Sequence, residues 1–198
     1  MNWETLLCIG DSITIGARSY IGFPEYLGHF LSKETNTEWN VINQAISGYT
    51  CRDISRNISS NFTNIKNQNP SIATILIGTN DVKTNTSPEL FEIAYVQLIT
   101  KVKLLIPGNN ILLIKIPNFT KGIKYPYTFK LNEQIPQYND IITRLSKKYQ
   151  LRLIELNTEQ EHLFDGVHLN ECGSRCVAKQ ISSTILIDKG YENITTQP

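Results

Sequence analysis

With 198 residues, 40% of them hydrophobic and 19% charged, the chain is long enough to bury a core and too apolar to remain disordered. A net charge of +1 with scattered lysines excludes a broad electrostatic footprint for nucleic acid. No segment approaches the length of a bilayer span, and Met1 to Thr5 has no basic leader, so a cytoplasmic chain without an integral membrane part is expected.

The first apolar run, Leu6–Ile9, is short enough for a buried strand and is followed directly by Gly10-Asp11-Ser12-Ile13. Gly22-Phe23-Pro24 then precedes a helical stripe of Tyr26, Leu27, Phe30 and Leu31. Val41–Ala45 is a second predicted strand, and Gly48 follows it within Asn43-Gln44-Ala45-Ile46-Ser47-Gly48-Tyr49-Thr50. The third strand, Ala73–Ile77, leads into Gly78-Thr79-Asn80-Asp81. A longer helical stripe, Phe91, Ala94, Tyr95, Leu98, Val102 and Leu105, is predicted to stop at Pro107-Gly108.

Ile111–Ile116 is the fourth predicted strand. Pro117 to Asn132 is irregular and carries Phe119, Tyr125, Tyr127 and Phe129; a loop of this length is either functional or a surface flap packing its own aromatics. Gln137-Tyr138-Asn139 opens a helix marked by Ile135, Tyr138, Ile141, Ile142 and Leu145, whose Lys147-Lys148 pair reads as a solvated face. The fifth strand, Leu151–Leu156, precedes Asp165-Gly166-Val167-His168, and a last helix runs from Cys172 to Ile187 behind Asn170, a good N-cap. Strands alternating with helices over 1–198 predict one α/β domain, a parallel sheet with helices on both faces. In such a sheet ligands bind beyond the carboxyl ends of the strands, where strand order reverses. Ser12, Gly48, Asn80 and His168 each follow a predicted strand, so they are expected on one rim.

A serine hydroxyl keeps its proton at neutral pH and is a weak nucleophile unless an imidazole takes that proton and a carboxylate fixes the imidazole's tautomer. Ser12, His168 and Asp165 supply that set. Taken alone, Ser12 at a strand-to-helix turn reads as a helix N-cap; with His168 and Asn80 in context it reads as a nucleophile. No Gly-x-Ser-x-Gly elbow, Gly-x-Gly-x-x-Gly or Walker sequence occurs, so neither a dinucleotide nor a nucleoside triphosphate is expected. His168, Cys172 and Cys176 recur at intervals of four, as metal ligands on a helix can. Asn170 as N-cap would leave His168 in the loop, the two cysteines would pack against the sheet, and neither a metal nor a cofactor is expected. Cys8, Cys51, Cys172 and Cys176 lack CxxC pairing and are expected to be free thiols. The Asn-X-Ser/Thr triplets at Asn57, Asn61, Asn85 and Asn118 are attributed to chance.

The four blocks, in this order and spread over nearly the whole chain, resemble the SGNH/GDSL hydrolase family. The resemblance implies a flavodoxin-like αβα sandwich with a five-stranded parallel sheet. It implies Ser12 as nucleophile, His168 as general base and acid, and Asp165 as the carboxylate that holds the imidazole. The backbone N–H groups of Ser12 and Gly48 and the side-chain amide of Asn80 would form the oxyanion hole. The implied partner is a small-molecule ester, an acylated sugar or a lipid, and a short acyl or acetyl ester is favoured. An acyltransferase using the same acyl-serine, a lysophospholipase or a thioesterase stay open, and a non-catalytic binding module is the remaining alternative. Phe119, Tyr125 and Tyr127 are expected to wall the substrate. Asp11 is expected to be a structural loop ligand and Asp81 a cap for the segment after it; His29 and His162 are assigned to surface or packing roles.

Overall fold

The computed structural model describes residues 2–17, 20–106, 110–123 and 125–188. Among these, one sheet forms from β1 (Trp3–Gly10), β2 (Glu38–Ala45), β3 (Ile72–Leu76), β4 (Ile111–Ile114) and β5 (Arg152–Ile154). Its order is β2-β1-β3-β4-β5 and every pairing is parallel. Every residue of β3 and β4 is buried, as a strand covered on both faces requires, and this is why they read in the sequence as unbroken apolar runs. The edge strand β2 mixes buried and exposed positions instead.

The connections are helical. α1 (Ser12–Ile15) and α2 (Phe23–Thr35) join β1 to β2; α3 (Cys51–Ser60) and α4 (Phe62–Asn67) join β2 to β3; α5 (Thr79–Lys83) and α6 (Pro88–Lys103) join β3 to β4. α7 (Ile135–Tyr149) leads into β5, and α8 (Glu171–Asp188) follows it. α2 packs on α8, whereas α3 packs on α6 and α6 on α7, so the sheet is sandwiched between two helical layers. The strand and helix stripes expected from the sequence all fall within these elements, shifted by a few residues at their ends. Pro107 and Gly108, expected to stop α6, lie outside the described residues.

α3 and α4 had no counterpart in the apolar pattern. α3 buries Cys51, Ile54, Ser55 and Ile58, two of them small and polarisable or polar, so no large apolar stripe marks it. Its start is set by chemistry instead. The Thr50 hydroxyl accepts from the Asp53 N–H while the Asp53 carboxylate accepts from the Thr50 N–H, a reciprocal capping box.

The register decides where the loops leave the sheet. Gly10, the last residue of β1, pairs with Ala45 at the end of β2 and with Leu76 at the end of β3. Three chains therefore exit side by side at the β1/β3 switch point. On the β4 side, the amide of Asn139 accepts from Ile116 N–H at 2.8 Å and donates to Ile116 O at 2.9 Å. Asn132 makes the same pair with Phe119, both at 2.8 Å. Each amide imitates a strand partner for a backbone that has left the sheet, and together they anchor the stretch after β4. Asn139→Ala leaves two backbone groups of the buried Ile116 without partners; at roughly 1–3 kcal/mol for each unsatisfied group, a loss of about 2 kcal/mol is expected in urea unfolding.

Candidate active site

Gly10 and Asp11 shape the turn that carries Ser12. A Cβ on Gly10 would stand 2.5 Å from the carbonyl oxygen of Leu76 and closer still to Thr14, so only glycine lets β1 turn this tightly beside β3. Asp11, not Ser12, is the N-cap of α1: its Oδ1 accepts from Ile13 N–H at 3.0 Å. The serine hydroxyl is thereby left for other work. It lies 2.9 Å from His168 Nε2, and His168 Nδ1 lies 2.8 Å from Asp165 Oδ2. The other carboxylate oxygen, Asp165 Oδ1, accepts from the backbone N–H of His168 at 2.8 Å and of Val167 at 3.1 Å. An aspartate three residues before a histidine closes this small ring on its own loop. With the Nδ1 proton held by Asp165, Nε2 faces the serine as an acceptor.

The loop itself is fixed by short-range pairing. Phe164 N–H donates to His168 O, Leu163 bridges Leu169, and Asn170 N–H donates to His162 O. Asn170 Oδ1 accepts from Gly173 N–H at 2.9 Å, which starts α8 and leaves His168 in the loop. Thr120 N–H donates to Gly166 O and ties the stretch after β4 to the same loop.

The second and third blocks meet at the same rim. Ile46 N–H donates to Gly10 O, and the Asn80 amide donates from Nδ2 to Tyr49 O at 3.0 Å. Gly48 has a φ of +83° and a Cβ built there would meet nothing within 4 Å. Its backbone thus requires glycine for conformation, and it faces open space from which a ligand can approach. Asn80 is 1% exposed, and one N–H of its amide is held by the Tyr49 carbonyl. Asp81 lies inside α5 instead of capping the segment after it: its Oδ2 accepts from Cys51 N–H at 2.8 Å, so it secures the start of α3.

Three carboxylates sit in three environments. Burial pushes Asp11 up to about 7, only partly offset by the bond from Ile13 N–H and reinforced by the charge of Asp81. Burial likewise raises Asp81 to about 6 against the bond from Cys51 N–H. Burial also works to raise Asp165, but the hydrogen bonds from the His168 backbone and ring, with the imidazole's charge, outweigh it and hold the carboxyl below its ordinary value. The carboxyl that faces the imidazole is therefore the one of the three held below its ordinary value.

Aromatic rings enclose the imidazole. Tyr127 meets it edge-on with centroids 6.0 Å apart, and Phe164 stacks on it at 5.8 Å with 21° between planes. Tyr20 continues the row, 5.0 Å from Phe164. Neither Phe164 nor Tyr20 stood out in the sequence; the available signal was an aromatic residue immediately before Asp165. The expected substrate wall fares unevenly. Phe119 is 3% exposed, packed edge-on against Tyr127 in the core, and Tyr125 is 95% exposed. Of the three, Tyr127 is the one whose ring contacts His168.

The remaining candidates lie elsewhere. His29 is exposed on α2, and His162 Nδ1 accepts from Glu159 N–H at 3.0 Å in the loop before α8. Lys147 and Lys148 are exposed. Cys172 is exposed and Cys176 half-buried, which corrects the expectation that both pack against the sheet: Gly173 and Ser174, Val177 and Ala178 take the inward face of α8. Among the described residues no three His, Cys, Asp or Glu side chains gather as a metal site, and no helix is long and apolar enough to cross a membrane.

A parallel sheet in the order 2-1-3-4-5, with these four loops on one rim, is the SGNH hydrolase fold. Residues 8–176 match the GDSL-like Lipase/Acylhydrolase family; the chain belongs to that family and is a carboxylic ester hydrolase of the SGNH type. The fold is similar to that of an acetyl xylan esterase from Geobacillus stearothermophilus, at 20% identity, a TM-score of 0.69, and coverage of 98% of this chain and 97% of that one. It is also similar to a lipase/acylhydrolase from Enterococcus faecalis, at 17% identity, a TM-score of 0.76, and coverage of 98% and 100%. A second acetyl xylan esterase, AlAXEase, matches at 22% identity with a TM-score of 0.74, covering 91% and 99%. At the level of sequence, no curated relative matches the chain.

The raised carboxyls make stability depend on pH with a definite sign. A group whose folded value exceeds its unfolded one stabilises the fold below the unfolded value and loses that contribution as pH rises through the folded value. For Asp11 this interval runs from its ordinary 3.8 to about 7, and Asp81 acts in the same direction up to about 6. Thermal midpoints are expected to fall across this range, and Asp11→Asn, which cannot ionise, is expected to flatten the decline.

Proposed function

We propose that Ser12 is the nucleophile of an esterase that works through an acyl-serine. As its oxygen bonds to the substrate's carbonyl carbon, its proton passes to His168 Nε2. His168 then gives that proton to the leaving alkoxide as the ester C–O bond breaks. In the second half, His168 takes a proton from water, the hydroxide oxygen bonds to the acyl carbon, and Ser12 leaves with the proton returned. Asp165 stabilises the imidazolium that exists between these transfers and does not itself take the proton. The observation that carries this reading is the unbroken line from Ser12 Oγ to His168 Nε2 at 2.9 Å and from Nδ1 to Asp165 at 2.8 Å.

The oxyanion of each tetrahedral intermediate is assigned to the N–H groups of Ser12 and Gly48 and to one N–H of Asn80 Nδ2. The substrate assigned is a short acyl ester, with an O-acetylated carbohydrate favoured. Two of the fold neighbours are acetyl xylan esterases, and the exposed edge of the Tyr20–Phe164 row beside His168 offers a sugar ring an apolar face.

An ester panel tests both levels. Ser12→Ala is expected to bring hydrolysis to background and to abolish labelling by a fluorophosphonate probe, while Asn80→Ala is expected to lower kcat roughly 10²-fold with the fold intact by circular dichroism. Because Asp165 is held below its ordinary value, its own protonation is expected to add nothing to the pH–kcat/KM profile near neutrality, and Asp165→Asn is expected to lower kcat there. Acetyl esters are expected to outrun long-chain esters; a strong preference for long chains would refute the substrate assignment and leave the mechanism standing.

A further inference from the structure

Asn80 can serve an oxyanion only with its nitrogen, and an amide side chain can sit in either of two orientations half a turn apart. Turned the wrong way, Oδ1 would face the developing negative charge and repel it. The two orientations differ little in shape, so the choice rests on the partners of the amide. Those partners are on different parts of the chain. Nδ2 donates to Tyr49 O at 3.0 Å, and Oδ1 accepts from the hydroxyl of Tyr127 at 3.4 Å. Among the described residues Asn80 Oδ1 is the one hydrogen-bond partner of that hydroxyl, and Tyr49 O the one partner of Nδ2. The second N–H of Nδ2 is thereby left for a ligand.

We propose that Tyr127 is a positioning residue that holds the Asn80 amide with its nitrogen toward the oxyanion. This rests on the acyl-serine reading above and deepens it. A turned amide would set Oδ1 against the carbonyl oxygen of Tyr49, acceptor against acceptor, so Tyr49 chooses the orientation. The Tyr127 hydroxyl, which can donate or accept, holds Oδ1 from outside the glycine block and keeps the amide from swinging out of that orientation.

Tyr127 is built for a fixed role. It is 8% exposed, its ring packs edge-on with Phe119 at 5.5 Å and with His168 at 6.0 Å, and Lys83 Nζ lies 5.3 Å over its face. Lys83 and Asn80 belong to the same short helix, so the ring is braced by the element whose amide it orients. Burial, with the charges of Asp11 and Asp165, pushes the phenol up to about 12, so it keeps its proton well above neutral pH. The residue also explains why the stretch after β4 is anchored twice by asparagines and once to Gly166: slack in that stretch would move the hydroxyl.

The test is Tyr127→Phe, which deletes the hydroxyl and keeps the ring, alone and combined with Asn80→Ala. Tyr127→Phe is expected to lower kcat roughly ten- to hundredfold, within the loss from removing the donor outright, with KM little changed. Combined with Asn80→Ala it is expected to add no further loss, since it acts through that amide. Losses that multiply would mean that Tyr127 acts on its own, on substrate or on His168, and would overturn the proposal. So would a Tyr127→Phe enzyme at the wild-type rate while Asn80→Ala is impaired. A wild-type rate in Asn80→Ala itself would instead overturn the oxyanion assignment on which the proposal depends.

Discussion

A 2.9 Å contact joins two residues 156 positions apart, and the arrangement of the sheet is what makes it. Ser12 and His168 meet because all five strands point the same way. In a parallel sheet every strand delivers its following loop to the same end, so residues from distant stretches converge without any local sequence bringing them together. The alignment of Gly10, Ala45 and Leu76 sharpens that convergence. It sends out the serine turn, the glycine loop and the asparagine helix from one level of the sheet. The acid–histidine loop then crosses from β5, held by its own ladder of backbone bonds and by Thr120.

The electrostatics follow from the same geometry. The switch point is buried, and a carboxyl taken there without ion pairs prefers its neutral form. Asp11 and Asp81 accept that environment and serve as caps, each through one oxygen bonded to a backbone N–H, with the second oxygen making no hydrogen bond. Asp165 lies on the outer loop, partly exposed, with two backbone N–H groups and an imidazole to receive its charge. Side chains of identical chemistry are thus sorted by burial and donor count into two caps that hold a proton more tightly than an ordinary carboxyl and a partner for His168 that gives it up more readily.

Much of this was legible in the chain. Strands covered on both faces must be continuously apolar, so β3 and β4 announce themselves, and helices lying on the sheet must carry a stripe, so α6 and α7 do as well. The polar blocks after each strand then mark the rim. α3 was not legible, because its inward face is made of Cys51, Ile54, Ser55 and Ile58 and its start is written in Thr50 and Asp53. The stabilising partner of that start, Asp81, is thirty residues away, and no local reading could pair them. The burial of Phe119 and the exposure of Tyr125 were not legible for a related reason: aromatics in an irregular stretch give no period from which to read which side is buried.

What the sequence alone determined was the class of fold and the chemical types of the side chains that follow each strand, since apolar patterning and residue type are local properties. What only the tertiary structure decided was orientation: which oxygen of Asp11 caps α1, which way the Asn80 amide turns, which of the aromatics reach His168. Those depend on distances between segments that the chain does not encode one residue at a time, because each is set by packing of helices and loops onto a common sheet.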